Sequence, residues 1–130
     1  MRPLFYSDYL EGCCPEILCR MQDTNLEQTP GYGCDSHCER AAELIRKSCR
    51  KPDAEVHFLV GGTQTNATVL SALLRPHQGA ICASTGHIQV HETGAIEHGG
   101  HKVLPLPSVD GKLNAKQITD AVDEHWSEAN

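Results

Sequence analysis

The 130 residues carry a net charge of −6 and a pI near 5.7, which excludes the basic footprint of a nucleic-acid or anionic-membrane binder. No apolar run approaches the roughly 18 residues of a membrane-spanning helix, and the opening Met1 to Asp8 lacks the apolar core of a signal peptide, so a cytoplasmic protein is expected. Seven cysteines are an odd number at irregular spacings with no secretion signal. They are expected as free, buried thiols acting as small hydrophobes, without a disulfide framework. A zinc site from Cys34, His37, Cys38 and one upstream cysteine is the alternative, although no Cys-x-x-Cys pair supports it.

In chain order, residues 1 to 12 read as an irregular arm. Pro15 suits a first helical turn, and Ile17, Leu18 and Met21 make an apolar stripe on a helix from Pro15 to about Asp23. Residues 24 to 33 are a loop with a Pro30-Gly31 turn signal, in which Tyr32 stands between two glycines. Its ring either packs on the surface or reaches a ligand. A second helix starts near Asp35 or Ser36, with Ser36 and Glu39 at capping-box spacing. Cys38, Ala41, Ala42, Ile45 and Cys49 form its buried stripe, and Pro52 stops it.

An apolar strand is expected over Val56 to Val60, then a glycine turn and a helix from about Asn66 to Leu74. Further strands are expected at Ala80 to Ala83 and Lys102 to Leu106, with a helix from Val90 to Glu97 between them. A turn at Val109 to Lys112 precedes a last helix capped by Asn114 with Gln117 three residues on, its inner face made by Ile118, Ala121, Val122 and Trp126. Alternating strands and helices predict an α/β fold with a mostly parallel sheet and flanking helices. Three strands buried on both faces leave a parallel sheet uncovered. The 130 residues are therefore expected as a single partial domain, with the arm and first helix over 1–35 and the α/β part over 36–130.

The stretch Phe58-Leu59-Val60-Gly61-Gly62-Thr63-Gln64-Thr65-Asn66 carries the chemistry. Strand, glycine turn and helix aim unpaired backbone N–H groups and the positive end of the helix dipole at an anion. Gly61 and Gly62 let the backbone bend and approach a ligand closely, and Thr63 adds a hydroxyl. No Gly-Lys-Ser/Thr follows, so this is not a P-loop. The third glycine of the dinucleotide fingerprint is also missing. His87 follows the end of the next strand, where ligands of open α/β sheets bind, and could stack on a flat ring whose phosphate rests in the turn. His87 and His91 stand at i, i+4, without the glutamate between them that a metalloprotease requires.

These residues resemble the threonine aldolase / β-eliminating lyase family, from Phe5 to about Val122 and in consistent order. Phe5-Tyr6-Ser7-Asp8-Tyr9 is similar to the family's opening Arg-Ser-Asp-Thr, with tyrosines for the Arg and Thr. Pro30-Gly31-Tyr32-Gly33 matches its Tyr-Gly, and Gly61-Gly62-Thr63-Gln64-Thr65-Asn66 its Ser-Gly-Thr-x-x-Asn phosphate turn. Gly86-His87-Ile88 followed by Glu92-Thr93-Gly94-Ala95 resembles its Ser-His-Ile and Glu-x-Gly-Gly. Each motif is weak alone; four in order are specific. Gly61 in place of the usual Ser removes one hydroxyl, and Ala95 replaces a glycine.

The resemblance implies the large fold-type-I α/β domain and pyridoxal 5′-phosphate as cofactor. It implies that Gly62 and Thr63 hold the phosphate, with Asn66 also at the cofactor. His87 would stack on the pyridine ring and take part in proton transfer at the substrate hydroxyl. Ser7 and Tyr32 would serve the substrate, with Tyr32 reaching a neighbouring subunit's site, and Asp8 and Glu92 would support. The implied activity is C–C cleavage or β-elimination on a β-hydroxy or aromatic amino acid, by a homo-oligomer. The family's cofactor-binding Lys, its Asp at the pyridine nitrogen and its substrate-clamping Arg lie further along, and Lys102, Lys112 and Lys116 do not stand at the lysine position. The expectation is thus the front part of a lyase. The alternatives are a non-catalytic phosphate-ligand or dimerisation module and a Cys/His metal protein.

Overall fold

The structure, a computed structural model, describes residues 4–7 and 9–128. The expectation for Asp8 lies outside the described residues. The chain divides into two units, Met1–Phe58 and Leu59–Asn130.

The first unit holds two helices, α1 (Pro15–Thr24) and α2 (Ser36–Cys49). Pro15 opens α1, where its missing N–H removes no bond. The α1 stripe is not buried: Ile17, Leu18 and Met21 are 50%, 55% and 60% exposed. Its amphipathic spacing marks a face that nothing within the unit covers. Asp35, rather than the Ser36–Glu39 pair, caps α2. Its Oδ1 accepts from the Cys38 N–H at 2.9 Å, and that bond holds the carboxyl of Asp35 below the usual carboxylate range. At the other end Arg50 takes a left-handed conformation (φ 53°), and Lys51 N–H returns to the Arg46 carbonyl at 3.0 Å. Arg46 Nε donates to the Ala54 carbonyl at 2.8 Å and ties down the chain beyond Pro52. Of the expected α2 stripe, Ala42 is buried and Cys38 and Ala41 half-buried, while Ile45 and Cys49 are exposed.

Val56 to Val60 forms no strand. A strand exists through the ladder it shares with a neighbour, and among the described residues none pairs with this run.

The second unit carries α3 (Gly62–Leu73), β1 (Ala80–Ala83), α4 (His87–Val90), α5 (Ala95–His98), β2 (Val103–Leu106) and α6 (Ala115–Glu128). β1 and β2 pair in parallel, with Ala80 opposite Val103 and Ala83 opposite Leu106. Ser84 N–H continues the ladder to the Leu106 carbonyl at 2.8 Å. The single helix expected over Val90 to Glu97 is two short ones. Thr93 and Gly94 have φ of 49° and 78°, a left-handed pair that no right-handed helix can pass through. α5 packs on α3, and α4 packs on both strands. The core of this unit is small: Ile96 and Val103 are buried, as is His101, whose Nδ1 donates to the Gln78 carbonyl at 3.2 Å.

The turn at Val109 to Lys112 forms as expected, with Asp110 and Gly111 both at positive φ. So does the capping box of α6: Gln117 N–H donates to Asn114 Oδ1 at 2.9 Å, and Asn114 N–H to Gln117 Oε1 at 3.0 Å. Of the inner face expected on α6 only Ala121 is half-buried, while Ile118, Val122 and Trp126 are 42%, 41% and 67% exposed. The cysteines also depart from expectation. All seven are free, but five are exposed and only Cys38 and Cys82 are half-buried.

Candidate active site

The glycine turn opens directly into α3, which begins at Gly62, four residues before the apolar pattern starts. Gly61 precedes it in extended backbone (φ −175°, ψ 165°), a conformation open to any residue. Neither Gly61 nor Gly62 has a positive φ, so the backbone does not require glycine at either place. A Cβ built on either meets no atom within 4 Å. What the two glycines provide is open space against the backbone.

The donors facing that space follow from the helix start. The first bond of α3 runs from Thr65 N–H to the Gly61 carbonyl at 3.0 Å. The N–H groups of Gly62, Thr63 and Gln64 therefore precede the helical ladder, and no side chain caps them. The Gln64 side chain turns back instead, its Oε1 accepting from Val60 N–H at 3.1 Å. Thr65 Oγ1 donates to the Gly61 carbonyl at 2.9 Å, while Thr63 is exposed on the first turn. Three N–H groups at the positive end of a twelve-residue helix suit a phosphate.

His87 starts α4 four residues past the end of β1. Gly86 sets how closely it can follow: a Cβ there would lie 2.9 Å from the Ala83 carbonyl oxygen and 3.2 Å from the Cys82 Cβ. Burial pushes the Cys82 thiol up, and the Glu97 carboxylate adds to the effect, which disfavours the thiolate there.

Three of the expected site residues meet. Glu92 is 1% exposed. Its Oε1 accepts from Asn66 Nδ2 at 2.5 Å and lies 2.8 Å from His87 Nδ1. Asn66 stands one turn into α3, so two hydrogen bonds tie the histidine to the helix that carries the open N-terminus. The His87 side chain stays 60% exposed, and its ring lies beside that of His91, centroids 5.2 Å apart at 49°. Glu92 Oε2 is buried and has no hydrogen-bond partner among the described residues.

Ser7 and Tyr32 belong to the first unit. Ser7 is half-buried, and its Oγ accepts from Tyr9 N–H at 3.4 Å. Tyr32 has φ 63°, followed by Gly33 at 77°, and its ring is fully exposed. It is not packed on the surface of its unit. Among the described residues no cluster of three His, Cys, Asp or Glu side chains stands ready for a metal ion, and no helix is long and apolar enough to cross a membrane. Sequence reasoning missed the free N–H of Gln64 and the packing role of Gly86. The first follows once the helix start is known, and a glycine directly before a histidine after a strand was the available sign of the second.

The β-eliminating lyase family model matches residues 5–129. Low specificity L-threonine aldolases from Pseudomonas sp. (strain NCIMB 10558) and Pseudomonas aeruginosa are 36% and 35% identical over 118 residues, which is 89% of this chain and 34% of theirs. A solved threonine aldolase from Leishmania major is 50% identical with a TM-score of 0.88, over 92% of this chain and 35% of that one. The chain thus spans about a third of the length of the relatives it matches. A family match over nearly every residue, carried by a fold shared at half identity, makes the chain a member of the β-eliminating lyase family.

Proposed function

We propose that this chain supplies the phosphate-holding turn and the ring-stacking histidine of a pyridoxal 5′-phosphate site, in a cytoplasmic, homo-oligomeric lyase that cleaves or eliminates at the side chain of a β-hydroxy or aromatic amino acid. The observation that carries this reading is the link from Gly62 to His87. Three uncapped N–H groups open α3, and Asn66 on the same helix is joined through Glu92 to His87. The threonine aldolases that the chain is similar to support the substrate class. The residues fit the cofactor on the structure's own terms, since the space a Cβ would fill at Gly61 and Gly62 is open.

In this reading the N–H groups of Gly62, Thr63 and Gln64 and the Thr63 hydroxyl hold the phosphate. The ring of His87 covers one face of the pyridine and holds a proton from the substrate hydroxyl at Nε2. Ser7 binds the substrate carboxylate, and Tyr32 serves the site of a neighbouring subunit. When bound, the cofactor would supply an electron sink for the pair released as a bond to the amino acid's Cα breaks. The lysine that would hold it, and the aspartate and arginine that would serve it, are not among the residues assigned to the site.

Titration of the full-length protein with pyridoxal 5′-phosphate, followed by absorbance, tests this. Wild type should bind, with inorganic phosphate competing, and Gly62→Val should weaken binding at least tenfold because its branch fills the space the phosphate needs. Unchanged affinity in the variant would make the turn structural only.

A further inference from the structure

Glu92 is an expensive residue for this fold. It is 1% exposed, and one of its two oxygens is buried without a partner. A buried carboxylate loses its hydration, and an unsatisfied oxygen recovers none of it. An apolar side chain of similar volume is often at least as stable at such a place. Removing the carboxylate would strand little, because the His87 side chain is 60% exposed and Asn66 only half-buried, so both can take water instead. Stability therefore does not explain the carboxylate.

The geometry at Oε1 does. Two groups converge on this one oxygen: Asn66 Nδ2 at 2.5 Å and His87 Nδ1 at 2.8 Å. The amide can only donate, so the oxygen acts as an acceptor, and the imidazole nitrogen facing it must carry its hydrogen there. The other nitrogen, Nε2, is then left with a lone pair. Asn66 holds the carboxylate from α3, so the ring is fixed in direction as well as in tautomer. We propose that Glu92, anchored by Asn66, is a positioning residue that keeps His87 as the Nδ1–H tautomer and so leaves Nε2 free to accept a proton. That this serves a substrate hydroxyl rests on the function proposed above; the tautomer itself does not.

The test is a two-bond proton–nitrogen correlation spectrum of the full-length protein with 15N-labelled histidine, recorded without cofactor at a pH where the ring is neutral. His87 is assigned by its loss in His87→Asn. Wild type should show His87 as Nδ1–H, and Glu92→Gln, which keeps an acceptor oxygen, should preserve that pattern. Glu92→Met should lose it while melting no lower than wild type. An Nε2–H pattern in wild type would overturn the proposal without any variant having to fold. So would an Nδ1–H pattern that persists in a folded Glu92→Met protein. Failure to bind pyridoxal 5′-phosphate in the titration above would strike the functional reading and leave the tautomer result standing.

Discussion

Glu92 Oε1 lies 2.8 Å from His87 Nδ1, although Glu92 is almost wholly buried and the His87 side chain is mostly exposed. The pair joins the interior of the second unit to its surface through one oxygen. That oxygen also takes the Asn66 amide, so the three residues should behave as one unit energetically.

Asn66→Ala removes one of the two donors on a buried carboxylate. It should cost about 1–3 kcal/mol in the otherwise unchanged protein. In a Glu92→Met background the same substitution has no carboxylate to strand and should cost less, with a coupling of at least about 0.5 kcal/mol. Urea unfolding of the four proteins in the cycle measures this, and additive effects would show that Asn66 and Glu92 act separately.

Gly86 and Gly62 should respond in opposite ways to alanine. At Gly86 the new Cβ would meet the Ala83 carbonyl oxygen at 2.9 Å, a backbone atom that cannot step aside. A loss of about 1–3 kcal/mol is expected, with α4 and His87 displaced. At Gly62 the Cβ meets nothing within 4 Å, and alanine suits a helix better than glycine. Stability there should hold or rise slightly. Thermal melts of the two variants side by side decide it, and equal losses would refute the packing assigned to Gly86.

The start of α2 should be acid-sensitive. The Cys38 N–H bond lowers the pKa of Asp35 in the folded chain, so the carboxylate's contribution is fully present above the unfolded value, about 4. It is lost as pH falls through the lower folded value. Asp35→Asn retains a capping oxygen and should flatten this dependence. Amide exchange at Cys38 and Glu39 across pH 2 to 6 reads it out, after correction for intrinsic rates. Identical profiles for the two proteins would contradict it.

Cysteine reactivity should divide by environment. Asp35 raises the pKa of Cys38 through a side-chain hydrogen bond, with a smaller contribution from burial, and Cys82 is raised mainly by burial. Both should carry less thiolate than an unperturbed cysteine and alkylate slowly at pH 8. The exposed Cys13 and Cys19 should label first. Peptide mapping after timed exposure to iodoacetamide gives the order, and early labelling of Cys82 would refute it.

What could be read from the sequence was what depends on near neighbours. The Asn114–Gln117 box spans three residues and formed as expected, as did the turn at Asp110-Gly111. The start of α3 is hidden in the sequence because Gly62-Thr63-Gln64-Thr65 has no apolar residue to show a helical period. The break at Thr93-Gly94 is not legible in sequence because Thr gives no sign of a left-handed backbone. The stripes on α1 and α6 showed which faces want cover, and no local pattern says whether cover is present. The Asn66–Glu92 bond joins residues 26 apart, so the motifs named both as supporting but could not show that they meet, or that Glu92 is buried.

Val60 is 94% exposed at the end of an apolar run that no strand among the described residues pairs. A segment with strand propensity, little charge and no proline is a template for any chain that offers a matching edge, including another copy of itself. A strand that paired with residues 56–60 would therefore do more than complete a sheet: it would also remove a nucleus for aggregation.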